Sequence, residues 1–210
     1  LPRRLLGDFL TYIEATQSPV AVRSSSLLED SHYQPFAGIY NTYMVPYLDD
    51  RRRMLLMLSD AIKGVYASVY FKDSKAYMQA TRNVIDQEKM AVIIQEVVGQ
   101  QHGTRFYPAI SGVGRSLNYY PINDERADEG IVSLALGLGK YIVDGGLTLR
   151  VCPHHPAKVL QTSETEIALR ETQTRFYALD LTNRGDNFSI DDSFNLLRLP
   201  VKEAEKDGSL

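Results

Sequence analysis

The sequence predicts an α+β fold, and three observations carry the prediction. Apolar residues recur at helical spacing near the start and again around residues 51–63. Two nearly continuous apolar runs, at 90–98 and 130–136, read as strands. Helical and strand-like segments follow one another without the regular alternation of a doubly wound parallel sheet.

Element by element, Leu5, Leu6, Phe9, Leu10 and Ile13 predict an amphipathic helix that Pro19 ends. Residues 20–23 predict a strand, followed by a loop over 24–38 rich in Ser, Asp, Pro and Gly. A second strand is expected over 40–45. Met54, Leu55, Leu58 and Ile62 place one apolar face on a helix over 51–63, and a further helix is expected over 74–86. The run Met90 to Val98 predicts a strand buried on both faces. Residues 104–113 read as extended, with Gly112 as a turn or bulge. A buried strand over 130–136 runs into Gly137-Leu138-Gly139-Lys140, and a strand over 147–152 ends at Pro153. A helix over 165–173 precedes a polar, loop-rich end. Residues 1–160 are therefore expected as one lobe and 161–210 as a loop-rich extension.

Bulk composition narrows the class. The chain is long enough to bury roughly 70% of its unfolded surface without staples. Hydrophobic residues make up 44% and charged residues 23%. Those proportions are ordinary for a globular protein. A formal charge of −3 provides no basic footprint for nucleic acid. The single cysteine, Cys152, excludes an intrachain disulfide and a cysteine-rich metal site, and fits a cytoplasmic location. No apolar run approaches the roughly 18–20 residues of a membrane span, so no membrane partner is expected. The chain opens without methionine, lacks a signal-peptide pattern and ends on Glu205-Lys206-Asp207-Gly208-Ser209-Leu210, so a segment of a longer protein is expected.

Several constellations bear on chemistry. In Val20-Ala21-Val22-Arg23-Ser24-Ser25-Ser26 an apolar run ends in one arginine and three hydroxyls. That arrangement is either an anion-binding turn or a strand ending in a polar loop. Gln95-Glu96-Val97-Val98 ends the most apolar strand, where backbone groups and the Glu96 carboxylate could read a purine and its ribose. Gly137-Leu138-Gly139 allows a tight turn and close backbone approach, yet matches neither a P-loop nor a dinucleotide fingerprint. The carboxylates Asp124, Glu125, Asp128 and Glu129 could attract Mg²⁺ or form a solvated acidic face. Cys152-Pro153-His154-His155 is poorly arranged for zinc, because adjacent histidines flanked by prolines do not converge on one ion. No nucleophile-elbow pattern accompanies the serines and histidines. The 13 tyrosines and the loops after residue 155 are the features that an interaction scaffold would use.

Taken in order, these segments resemble the nucleotide-binding part of the phosphoenolpyruvate synthase and pyruvate phosphate dikinase family. The likeness rests on Val20 to Ser25 with Glu29-Asp30 and Phe36-Ala37-Gly38, and on Ala61-Ile62-Lys63-Gly64-Val65-Tyr66-Ala67-Ser68. It continues through Arg82, Met90 to Gln95, Ser111-Gly112-Val113, Ala135 to Gly139 and Val143-Asp144-Gly145. The resemblance implies an ATP-grasp fold with a mixed or antiparallel sheet and flanking helices. It also implies ATP and Mg²⁺ as ligands, and a phosphoryl group passed to a histidine on another domain, toward pyruvate or a related acceptor. The phosphohistidine and pyruvate-binding domains would lie elsewhere, and this part alone would not turn over. By the same carry-over Arg23 clamps the phosphates with Ser24 and Ser25 beside it, Arg82 precedes the next strand, and Gln95, Glu96 and Val98 face the adenine.

The family's Phe-Thr after Ser-Gly-Val is replaced around Gly114-Arg115-Ser116, and two further departures fall at acidic positions. Lys140 stands where the family usually has glutamate after Gly-Leu-Gly, and Ser133 stands where an acidic residue often helps hold metal or nucleotide. Asp144 and Arg150 are the candidates to substitute, and no metal ligand is assigned. These departures motivate an alternative, a degenerate nucleotide-binding or regulatory domain without catalysis.

Overall fold

The computed structural model describes residues 1–27, 29, 38–81, 88–182 and 188–210. The chain divides into two units, Leu1–Val97 with Asp180–Leu196 and Val98–Leu179 with Leu197–Leu210. Helices mix with antiparallel sheets throughout, an α+β architecture.

In the first unit, helix α1 (Arg3–Thr16) ends at Gln17, whose φ of 47° is left-handed, just before Pro19. The chain turns there into β1 (Val20–Ser26). With β2 (Tyr43–Val45) and β3 (Met90–Glu96) it forms a three-stranded sheet in the order β2-β1-β3. Helix α2 (Arg51–Ser68) begins where the Asp50 carboxylate accepts from the backbone N–H groups of Arg52 and Arg53 at 3.0 and 3.1 Å, satisfying donors that a helix start leaves open. Its buried Met54, Met57, Leu58, Ala61, Ile62 and Val65 follow the helical period and meet Val20, Val22, Tyr43 and Val45 of the sheet. Gly64 permits the close fit: a Cβ there would stand 2.7 Å from the Tyr43 ring. Helix α3 (Lys72–Thr81) follows. The stretch Arg51–Ala80 is long and apolar enough by length and composition to cross a membrane, but 56% of its apolar window is buried inside the protein. That is the position of a core helix.

Residues far along the chain complete this core. Phe188 packs at 5.0 Å from the Tyr43 ring and 5.4 Å from that of Phe194. Asn195, almost fully buried, donates from Nδ2 to the Met44 carbonyl at 2.8 Å.

The second unit holds two sheets. One is built from β4 (Gln100–His102), β5 (Arg105–Tyr107), β9 (Arg175–Asp180) and β10 (Leu196–Pro200), in the order β10-β9-β5-β4. The other is built from β6 (Ser111–Arg115), β7 (Ile131–Ala135) and β8 (Leu149–Val151), with β7 at its centre. Short helices α4 (Lys140–Val143), α5 (Thr165–Glu171) and α6 (Val201–Lys206) lie among them along the chain. Tyr107, Leu136, Phe176, Ala178 and Ala204 form the core. The Arg105 guanidinium pairs with Glu203 at 2.9 Å and Asp207 at 3.3 Å, and the Tyr107 hydroxyl donates to Asp207 at 2.8 Å, fastening α6 to β5.

Several sequence expectations change. Ser24, Ser25 and Ser26 extend β1 instead of opening a loop, because they pair with Val92, Ala91 and Met90. Strand β3 is amphipathic, not buried on both faces: Met90, Val92 and Ile94 pack against the core, while Ala91, Ile93 and Gln95 are exposed, as the alternation of a strand dictates. Gly112 lies within β6 opposite Leu134 and makes no turn. The 130–136 run is half-buried along most of β7. Residues 161–210, expected to be loop-rich, contribute α5, β9, β10 and α6. The expected helix over 74–86 is seen to Thr81, and its remainder lies outside the described residues.

Candidate functional site

Antiparallel register sorts the predicted site residues of the first unit by face. Arg23 lies opposite Ile93, Ser25 opposite Ala91 and Ala21 opposite Gln95. Directly opposed residues share a face, so Ala21, Arg23 and Ser25 of β1 and Ala91, Ile93 and Gln95 of β3 form the side turned away from the α2 core. Arg23 is exposed there, between Ala21 and Ser25 along its own strand face and opposite Ile93, and makes no hydrogen bond or ion pair among the described residues. A guanidinium with no partner among the described residues can offer its donors to an anion.

Ser24 and Glu96 fall on the opposite face, opposite Val92 and Val20. Ser24 is engaged within the protein. Its hydroxyl donates to Glu29 Oε1 at 2.8 Å, while the Ser26 backbone N–H donates to Glu29 Oε2 at 2.9 Å. The Glu29 N–H returns a bond to Ser26 Oγ at 3.1 Å. The Ser-x-x-Glu spacing of Ser26 and Glu29 is the one signal in the sequence for this knot. Beside it, the Tyr40 hydroxyl donates to Glu88 Oε2 at 2.5 Å. Burial first, and the Glu88 carboxylate second, push the Tyr40 phenol far above its ordinary range, so it remains a donor. Sequence reasoning missed Tyr40 and Glu88, which are distant in the chain and carry no motif.

The second unit holds Val98, Asp144 and Arg150. Val98 is 82% exposed between β3 and β4. Asp144 closes α4 and pairs with Lys140 at 3.2 Å, so the lysine at the family's acidic position sits on the carboxylate expected to replace it. Arg150 stands directly opposite Ser133 across β7 and β8. Its guanidinium donates to Asn118 Oδ1 at 3.4 Å and lies 6.0 Å from the centre of the Tyr120 ring. The ring contact is a cation–π arrangement at the outer limit of range. Gly137 does allow a close backbone approach, but the partner is the chain itself: the next residue's N–H donates to the Tyr177 carbonyl at 2.9 Å. Arg82, like Asp30, Phe36 and Ala37, lies outside the described residues.

The other constellations are internally engaged. Glu125 accepts from Asn118 and from the Ile122 N–H, both at 3.0 Å. Asp124 takes a hydrogen bond from the Lys158 ammonium at 2.7 Å, which lowers its carboxyl below the usual range. Cys152 is fully buried, and Glu129 accepts from its thiol at 3.6 Å and lies 3.3 Å from His155 Nε2. Among the described residues no group of three or more His, Cys, Asp or Glu is placed to hold a metal ion.

Comparison with known proteins gives this geometry a context. The family model "Pyruvate phosphate dikinase, AMP/ATP-binding domain" matches residues 4–192. The "Uncharacterized phosphotransferase YvkC" of Bacillus subtilis (strain 168) is 30% identical over 149 residues, 70% of this chain and 16% of that protein. The "Phosphoenolpyruvate synthase" of Aeropyrum pernix is 27% identical over 138 residues, 66% of this chain and 15% of that protein. The match thus spans about a sixth of these relatives' length. With nearly the whole chain matched in order, the protein belongs to the pyruvate phosphate dikinase AMP/ATP-binding domain family.

Proposed function

We propose that this chain binds ATP as the nucleotide-binding part of a phosphoenolpyruvate-synthase-like phosphotransferase, with an ATP-grasp arrangement. The observation that carries this reading is Arg23, an exposed guanidinium without a partner among the described residues, on the same sheet face as Gln95. A fixed cation on an exposed sheet face suits a triphosphate, whose transfer relies on positioning and charge neutralisation more than on covalent chemistry. In the full-length protein the phosphoryl group would pass to a histidine of another domain, toward pyruvate or a related acceptor. Mg²⁺ would accompany the nucleotide, and no residue of this chain is assigned to ligate it.

A second reading has its own support. Ser133 and Lys140 remove carboxylates that the resemblance leads one to expect, and Asp144 is already paired to Lys140. A domain so altered would bind nucleotide without transferring phosphate. Calorimetric titration of the full-length protein with ATP and Mg²⁺, with an ATP-consumption assay in the presence of pyruvate, separates the two. Binding with turnover supports the first reading, binding without turnover supports the second, and no binding refutes both. Arg23→Ala is expected to weaken ATP binding about tenfold to a hundredfold, the scale of a lost charge-assisted contact. Unchanged affinity would remove Arg23 from the site.

A further inference from the structure

Glu29 stands apart from the groups assigned to the nucleotide, yet both of its carboxylate oxygens are engaged by the segment that follows Arg23. Its two carboxylate oxygens are divided between two donors: Oε1 takes the Ser24 hydroxyl and Oε2 takes the Ser26 N–H. The Glu29 N–H bonds back to Ser26 Oγ. Ser24 and Ser26 are both largely buried, so their polar groups need these partners. The knot lies where β1 ends, and the next backbone bond of the ladder, Leu27 N–H to the Lys89 carbonyl at 3.2 Å, follows directly. The Tyr40 hydroxyl donates to the Glu88 carboxylate, two residues before β3 begins. The strand end that carries Arg23 is therefore held from the core face by carboxylates.

We propose that Glu29 is a positioning residue for phosphate binding. It fixes the Ser24–Ser26 segment and through it sets the backbone from which Arg23 projects. The inference rests on the reading that Arg23 holds the phosphates of ATP. Glutamine is the discriminating substitution. It has nearly the same shape but no charge: its oxygen can still accept from the Ser26 N–H, while its NH₂ can only donate to Ser24 Oγ, so the Ser24 hydroxyl proton loses its acceptor and the charge-assisted character of both bonds is lost.

The test is titration of the full-length wild-type and Glu29→Gln proteins with ATP and with adenosine, which has no phosphate. The expected result is about tenfold weaker ATP binding with adenosine affinity unchanged within about twofold. General damage to the fold would weaken both ligands alike, and that outcome overturns the proposal, as does wild-type ATP affinity in Glu29→Gln. If Glu29→Gln does not fold, Ser24→Ala removes one of the two donors, and a smaller, roughly threefold loss confined to ATP is expected; no such loss overturns the proposal. If the wild-type protein does not bind ATP, the reading of Arg23 fails and this inference falls with it, whereas wild-type binding with unaltered Glu29→Gln refutes the inference alone.

Discussion

At Gly137 the backbone φ is +80°, and a Cβ would lie 2.6 Å from the Tyr177 carbonyl oxygen and 2.8 Å from the Phe176 ring. Both problems face any other residue. A left-handed backbone costs about 1–2 kcal/mol, and a clash with a fixed carbonyl adds a comparable amount. Gly137→Ala is therefore expected to lose about 2–4 kcal/mol, read as a lower urea midpoint at unchanged slope. The need for glycine was legible, because two glycines after an apolar strand point to a close approach. The approaching atom was not legible: it belongs to β9, far along the chain, in a segment without a pattern of its own. Arg23 shows the same division. Its chemistry can be read from the residue type, but its separation from Ser24 onto the other sheet face follows from the serines continuing the strand.

At the scale of elements, α6 shows how side-chain pairing secures a helix too short to stand alone. Its length is far below that at which an isolated helix persists. Its attachment is the Arg105 pairing with Glu203 and Asp207, together with the Tyr107 hydroxyl on Asp207. The Lys206 hydrogen bond first, and that of Arg105 second, hold the Glu203 carboxyl below its ordinary value of 4.5. A carboxyl lowered on folding contributes stability above its unfolded value, and that contribution is lost as pH falls through the lower folded one. Protection of the α6 amides, taken as the exchange rate relative to that of the unfolded chain at the same pH, is thus expected to be high at neutral pH and to fall as pH drops below about 4.5. In Arg105→Met, protection of these amides should be roughly several-fold lower at neutral pH with a smaller loss on acidification; an unchanged acid response would assign the effect to Lys206 alone. Helices α1 and α2 were legible because their apolar period covers several turns. By contrast β4, β9, β10 and α6 are short and take their structure from pairing with distant partners. The apolar run of β3 misled for a related reason: composition does not reveal that one face of a sheet is left open.

For the whole molecule, the chain passes between the two units three times, after Val97, Leu179 and Leu196. The final segment, 180–210, consequently serves both units. Phe188, Phe194 and Asn195 complete the first core and cap the β2 edge through Met44, while β10 and α6 finish the second. No composition shift marks these crossings, which is why sequence reading treats the end as an extension. Typical domains retain only about 5–15 kcal/mol of net stability, and removing large core side chains costs about 3–5 kcal/mol each when they are fully buried. Phe188 and Phe194 are only partly buried, so each contributes less, but the loss of Asn195 also leaves the Met44 carbonyl without its donor. A chain ended after Leu179 is therefore expected to lose cooperative folding in both units. Circular dichroism melts and limited proteolysis would detect it as a broad transition and general cleavage. A sharp melt with a protected Leu1–Val97 segment would instead mean that the first unit stands without the residues supplied from beyond Leu179.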